Sequence, residues 1–195
     1  MRRRPVVMPM APAPVTVVLP LVAAATLPTS AFAVDYLSVE QAQKQLFPQA
    51  ERFESRVLSL SAEQLQAVES RYGIKARTAR WRVWQASAGG KPLGWVVVDD
   101  VVGKFELITY AVAVGADGAV QQVEILSYRE SHGAEVRLPA WRKQFAGKTA
   151  SAPLQVGQDI NNISGATLSC GHVTDGVKRI VAVLDFARQH GLLGG

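Results

Sequence analysis

Apolar and polar positions change rhythm several times along the chain, and each change marks an element. Ser38-Val39-Glu40-Gln41 and Ser61-Ala62-Glu63-Gln64 both match the capping box, in which Ser and Gln satisfy orphan helix amides reciprocally. They predict two short helices, the first ending near Pro48 and the second before Gly73. Strand character follows over Ala79 to Ala86, which carries Trp81, Val83 and Trp84, and Gly89-Gly90 predicts a turn. Leu93 to Val102 is rich in Val, and Leu107 to Val114 mixes β-branched and aromatic residues. Asp117-Gly118 is the strongest local hairpin signal, because both turn positions favour positive φ. It joins the 107–114 strand to another over Val120 to Leu126.

A short helix is expected after Pro139, containing Trp141 and Phe145 and closed by Gly147. From about Ser169 to His190, Val173, Val177, Ile180, Val181 and Leu184 recur at helical spacing. Asp175, Lys178, Arg179 and Arg188 lie off that stripe, which predicts a terminal amphipathic helix stopped by Gly191. The order is helices, then three or four antiparallel strands, then helices. The expected class is α+β: a single antiparallel sheet with N-terminal helices, one face buried by a packed C-terminal helix.

The 195 residues carry 21 Lys+Arg against 16 Asp+Glu, a net charge of +5 that invites a nucleic-acid or anionic-membrane reading. The position of the charge argues otherwise. Residues 1–33 hold no acid, and Arg2, Arg3 and Arg4 follow the first Met. A run from Val15 to Leu27 comes next, about 13 residues against the roughly 20 that span a bilayer. Ala31-Phe32-Ala33 then supplies a small-x-small cleavage pattern, so residues 1–33 read as a secretory signal peptide cleaved near Ala33. The alternative is an uncleaved membrane anchor. Removing the leader takes three of the five net charges and leaves residues 34–195 nearly balanced. The expected compartment is extracytoplasmic or periplasmic, with no nucleic-acid partner.

Cys170 is the only cysteine, so no intramolecular disulfide forms. His132, His172 and His190 show no metal-ligand spacing, and no metal is expected. Neither a Rossmann G-x-G-x-x-G nor a P-loop is present. The informative stretch is Ser164-Gly165-Ala166-Thr167-Leu168-Ser169, directly before the terminal helix. Small residues and hydroxyls there lead into free backbone amides at the positive end of a helix dipole, which suits a phosphate.

Ser-Gly-Ala-Thr followed by Leu and Ser at the start of a C-terminal helix resembles the FMN-binding domain family. That family includes flavin-bearing subunits of sodium-pumping quinone reductases and of Rnf-type complexes, and small exported relatives. The resemblance covers most of residues 34–195 and is strongest from Leu107 to Leu184. It implies an exported flavoprotein in which a flavinyltransferase joins FMN to Thr167 by a phosphoester. Ser164, Gly165, Ala166, Leu168 and Ser169 would surround the phosphate.

The stretch from Ile125 to Gly133 resembles the family segment leading from the sheet to the flavin ring, which implies Glu130, Gly133 and Glu135 near it and His132 beside it. Trp141, Phe145 and Gly147-Lys148 also fit the small exported relatives. One position departs from the pattern: Asn161 stands where the family has Asp, with Asp159 two residues earlier. Asn keeps local hydrogen bonding and loses the charge that a flavinyltransferase could read.

The implied activity is electron relay between a redox protein partner, membrane-bound or soluble, and another, with the chemistry supplied by the cofactor. Two other classes compete. One is a ligand-binding or structural module without covalent flavin. The other is a hydrolase using Ser164 or Thr167 with His132 and Asp159, against which the absent Gly-x-Ser-x-Gly elbow counts. Cys170 reads as a packing residue, and Trp81, Trp84, Trp95 and Trp141 as core anchors, any one of which could stack on flavin. A strand end or bulge accounts for Asp99-Asp100.

Overall fold

A computed structural model describes residues 34–194, and the leader expected over 1–33 lies outside the described residues. Strand β1 (Val34–Asp35) precedes helix α1 (Val39–Leu46), strand β2 (Arg52–Ser59) and helix α2 (Ala62–Tyr72). Four strands follow: β3 (Arg80–Ala88), β4 (Lys91–Val102), β5 (Leu107–Gly115) and β6 (Val120–Tyr128). A 3-10 turn (Ala134–Arg137), helix α3 (Pro139–Arg142) and a second 3-10 turn (Lys143–Phe145) lead towards helix α4 (Thr167–Gln189). One antiparallel sheet takes the order β1-β6-β5-β4-β3-β2, so β2 to β6 form a meander and β1 extends the β6 edge. The α+β class, the N-terminal helices and the C-terminal helix are as the sequence implies.

Both capping boxes form, with Ser38 and Ser61 accepting from the amides of Gln41 and Gln64. Gly73 ends α2 in the left-handed conformation, at φ +66°. The Asp117-Gly118 hairpin turns between β5 and β6, where Asp117 Oδ1 accepts from the Ala119 amide at 3.0 Å. Helix α4 starts at Thr167, two residues before the expected Ser169.

One expectation is corrected and another extended. The sheet has six strands, and β2 lies between the two N-terminal helices where no strand was expected. Of β2 only Leu58 is buried, because this is an edge strand whose Arg52 faces water while Glu54 and Arg56 are half-buried. Its polarity hid its period. The second point extends the expectation about burial. Helix α4 covers one face, packing Val173, Val177, Ile180 and Val181 with Val97, Val101, Ile108 and Val112. Helix α1 covers the other, where Ala42, Leu46 and Phe47 meet Val96, Ala111, Ala113 and Leu126. Successive strand residues point to opposite faces, so the unbroken Val96-Val97 run marks a strand buried on both sides.

The contact between α4 and the sheet is close. A Cβ on Gly176 would stand 2.0 Å from Tyr110 Oη, so only glycine fits beneath that tyrosine. Tyr110 donates to Asp99 at 2.9 Å, and the buried Arg179 lies 3.6 Å from the same carboxylate while donating to the Lys75 carbonyl. Asp99 and Asp100 therefore sit near the end of β4 in unbroken register with Tyr110 and Thr109, each serving its strand partner.

Candidate functional site

Three segments converge at one end of the sheet: the β4–β5 turn, the loop after β6 and the start of α4. Between them opens a cleft of about 460 Å³ lined by Lys104, Phe105, Glu130, Ser131, His132 and the run Gly165 to Ser169. The two sequence stretches singled out above thus meet across one space, although more than 30 residues separate them.

The floor is the entry to α4. Gly165 adopts φ +82° with nothing within 4 Å of a notional Cβ, so backbone conformation rather than space requires glycine there. Ala166 follows as the N-cap, its amide donating to the Ile163 carbonyl at 3.0 Å. An alanine cap has no side-chain acceptor, and no side chain caps the first turn. The leading amides of α4 are left free beside the exposed Thr167, whose Oγ1 accepts from Asn162 Nδ2 at 3.0 Å. Leu168 is 48% exposed and Ser169 is buried.

The wall comes from the loop after β6, tied to the floor by Tyr128. The Tyr128 hydroxyl donates to the His132 carbonyl at 2.5 Å, which leaves the Ser169 hydroxyl to donate into Tyr128 Oη at 3.0 Å. Burial pushes the Tyr128 pKa up, partly offset by the Ser169 hydrogen bond. Gly133, at φ +89°, packs so tightly that a Cβ would meet Tyr128 Oη at 2.6 Å and Ala166 Cβ at 3.0 Å. His132 Nδ1 contacts Ser131 Oγ at 2.9 Å.

Glu130 is engaged by the third segment. Its Oε1 accepts from the amides of Phe105 at 2.5 Å and Glu106 at 2.9 Å, closing the β4–β5 turn against the wall. Desolvation works to raise its pKa, but the Glu106, Phe105 and Lys104 amides together hold it below the usual value. Gly103 sits against this carboxylate, since a Cβ would come 2.6 Å from Glu130 Oε1. His172 Nδ1 anchors the same turn from α4, 2.5 Å from the Val102 carbonyl and 3.1 Å from that of Gly103.

Of the remaining residues implied by the resemblance, Ser164 and Glu135 are exposed and stand outside the lining. Asn161 is held through its backbone: Trp141 Nε1 donates to its carbonyl and its amide donates to Gln144 Oε1, both at 2.8 Å. Asp159 pairs with Lys148 at 2.9 Å and accepts from the Leu154 and Gln155 amides. Thr167, His132 and Asp159 thus each have other partners, and no hydrogen-bonded triad links them. Cys170 is fully buried, as a packing residue is, and burial raises its pKa. Trp81, Trp95 and Trp141 are buried away from the cleft and Trp84 packs on the α1 face. His190 stacks on Phe186 at the far end of α4.

Sequence reasoning missed Lys104 and Phe105, which read only as a gap between two strands, and Asn162. The available signal was an aromatic residue inside the short connection Gly103 to Glu106, a place normally given to small and polar residues.

One end of the sheet thus brings uncapped helix amides beside the exposed Thr167 hydroxyl. Residues 103–182 match the family model described as FMN-binding domain. It is similar to one component of the proton-translocating ferredoxin:NAD(+) oxidoreductase complex of Clostridium ljungdahlii, at 35% identity over 106 residues. That match takes in 50% of this chain and 57% of the relative, so the chain spans little more than half the relative's length.

Among solved structures, NqrC of Shewanella oneidensis shares the fold with a TM-score of 0.51 and 17% identity, covering 78% of this chain and 88% of that one. The corresponding component of the Na(+)-translocating NADH-quinone reductase of Parabacteroides distasonis gives 0.50 and 16%, covering 77% and 84%.

Proposed function

We propose that Thr167 carries FMN as a phosphoester and that the domain relays electrons between redox partner proteins outside the cytoplasm. The observation that carries this reading is the start of α4, where an alanine cap leaves the first amides free next to the exposed Thr167 hydroxyl. Those amides and the helix dipole favour the monoanionic phosphodiester that attachment would create at Thr167 Oγ1. The residues present fit the group in size as well, since the cleft of about 460 Å³ offers Phe105 and Leu168 as apolar surface and Lys104 as a cation. The match of residues 103–182 to the FMN-binding domain model supports the cofactor, and the relatives named above are components of larger redox complexes.

Attachment needs the Thr167 hydroxyl to lose its proton, its oxygen to bond to the flavin phosphate, and the bond from that phosphorus to a leaving nucleotide to break. A flavinyltransferase supplies the base and the flavin donor. Asn162 donates to Thr167 Oγ1, which leaves the hydroxyl proton directed away from Asn162 and open to removal. The bound group supplies one-electron and two-electron chemistry. The chain supplies the tether, the free amides and a wall that shields one side of the cleft.

The test is expression of the full chain with a flavinyltransferase, followed by a denaturing gel viewed under ultraviolet light. Fluorescence that stays with the polypeptide and disappears in Thr167→Ala is expected. A colourless band whose mass is that of the bare polypeptide would refute the covalent reading. The N-terminal residue of the exported product, expected to be Val34, checks the leader at the same time.

A further inference from the structure

Phe105 is 75% exposed, the highest value among the large apolar side chains of the described residues, followed by Leu138 at 54%. Exposure of a phenyl ring costs apolar burial, so its position calls for an explanation. A loose backbone does not provide one, because the Phe105 amide donates to Glu130 Oε1 at 2.5 Å and the Glu106 amide to the same oxygen at 2.9 Å. Lys104 Nζ stands 4.9 Å from the centre of the ring. Phe105 is also the one phenyl or indole ring lining the cleft among the described residues, since the four tryptophans lie elsewhere.

We propose that Phe105 is the platform for the planar aromatic part of the bound flavin, and that Glu130 is the positioning residue that holds the platform in place. This rests on the FMN reading above. Three features of the turn serve that arrangement. Gly103 gives Glu130 room, because any Cβ there would meet its carboxylate at 2.6 Å. One carboxylate oxygen receives two successive amides, a geometry that fixes both the height and the tilt of the turn. His172 fixes the same turn from the helix, through the Val102 and Gly103 carbonyls, so the platform is tied to the element that carries Thr167. A flat apolar ring on a turn held from two sides suits stacking on another flat ring.

Four proteins decide it: wild type, Phe105→Ala, Glu130→Ala and Glu130→Gln, each checked for flavin loading by intact mass. Polarised fluorescence of loaded protein reads ring mobility. The ring is expected to be immobile in wild type and freed alike in Phe105→Ala and Glu130→Ala. Glu130→Gln keeps an acceptor for the amides and is expected to restore the immobile ring. Hydrogen exchange of the apoprotein provides a readout independent of flavin. The Phe105 and Glu106 amides should exchange roughly tenfold faster in Glu130→Ala, and unchanged in Phe105→Ala.

Equal ring mobility in loaded wild type and Phe105→Ala overturns the platform, and unchanged exchange in Glu130→Ala overturns the positioning role. Should Glu130→Ala not fold, Glu130→Gln with wild-type mobility and Phe105→Ala with a freed ring still uphold the platform. Should wild type fail to load, the covalent reading falls and titration of the apoprotein with free FMN decides. Binding about tenfold weaker in Phe105→Ala upholds the platform, and equal affinity overturns it.

Discussion

Thr167 presents its hydroxyl to solvent with one side held, and that side is the Asn162 amide at 3.0 Å. The contact restricts the threonine rotamer and aims the oxygen, two things an attaching enzyme needs. If Thr167 carries flavin as proposed, Asn162→Ala is expected to slow that attachment by about tenfold, the effect of one lost hydrogen bond of roughly 1.4 kcal/mol, while the melting temperature stays within error. The rate of fluorescence gain on denaturing gels, measured with purified flavinyltransferase, reads the first part. An unchanged rate removes Asn162 from the site. Asp159 is a contrasting residue. Paired with Lys148 and bound to the Leu154 and Gln155 amides, it secures a loop in which the buried Leu154 adopts φ +45°. A positive φ in a leucine is costly, so this carboxylate has a structural duty that the sequence alone did not reveal.

Helix α4 joins the core to the site, and its glycines separate the two roles. At Gly176 a Cβ would reach within 2.0 Å of Tyr110 Oη, whereas at Gly171 nothing lies within 4 Å. Gly176→Ala should therefore destabilise the fold by about 1–3 kcal/mol through overpacking, and Gly171→Ala should stabilise it by roughly 0.5–1 kcal/mol through helix propensity. Urea titrations of the two variants check both signs, and a stabilising Gly176→Ala contradicts the close approach. The same helix was the most legible element in the sequence, because Val173, Val177, Ile180, Val181 and Leu184 keep strict helical spacing. Strand β2 was illegible for the opposite reason: an edge strand guarded by charge carries almost no apolar period. The floor of the site was legible too, since a tetrapeptide before a helix is local. Phe105 and Tyr128 were not, because what they do depends on contacts across 25 to 41 residues of chain. Glu130 shows the middle case: the resemblance implied a place near a flavin ring, and its two amide partners were beyond the reach of spacing.

At the scale of the molecule, a sheet buried on both faces commits several ionisable groups to one protonation state, and this shapes stability against pH. Burial and the Asp185 carboxylate push the Tyr72 pKa up to about 12, and burial with Asp99 holds Tyr110 well above 10. Burial raises Tyr128 as well. A folded pKa above the unfolded one gives stability that is complete below the unfolded value and is lost as pH rises towards the folded one. The alkaline loss should therefore begin near the ordinary tyrosine value of 10.0 and deepen towards about 12. The acid side has the reverse sign. Against desolvation, the backbone amides and Lys148 hold Asp159 below its ordinary 3.8, and amides hold Glu130 below 4.5. Their stability is present above those values and is lost as pH falls through the depressed ones. Urea midpoints measured across the range should form a plateau between about pH 5 and 9 with a fall on each side. Tyrosinate absorbance supplies the independent check, since three of the four tyrosines are raised and folded protein near pH 11 should show far less of it than unfolded protein. Equal absorbance in the two states, or a urea midpoint unchanged between about pH 9 and 12, would contradict the buried Tyr110–Asp99–Arg179 cluster that joins α4 to the sheet.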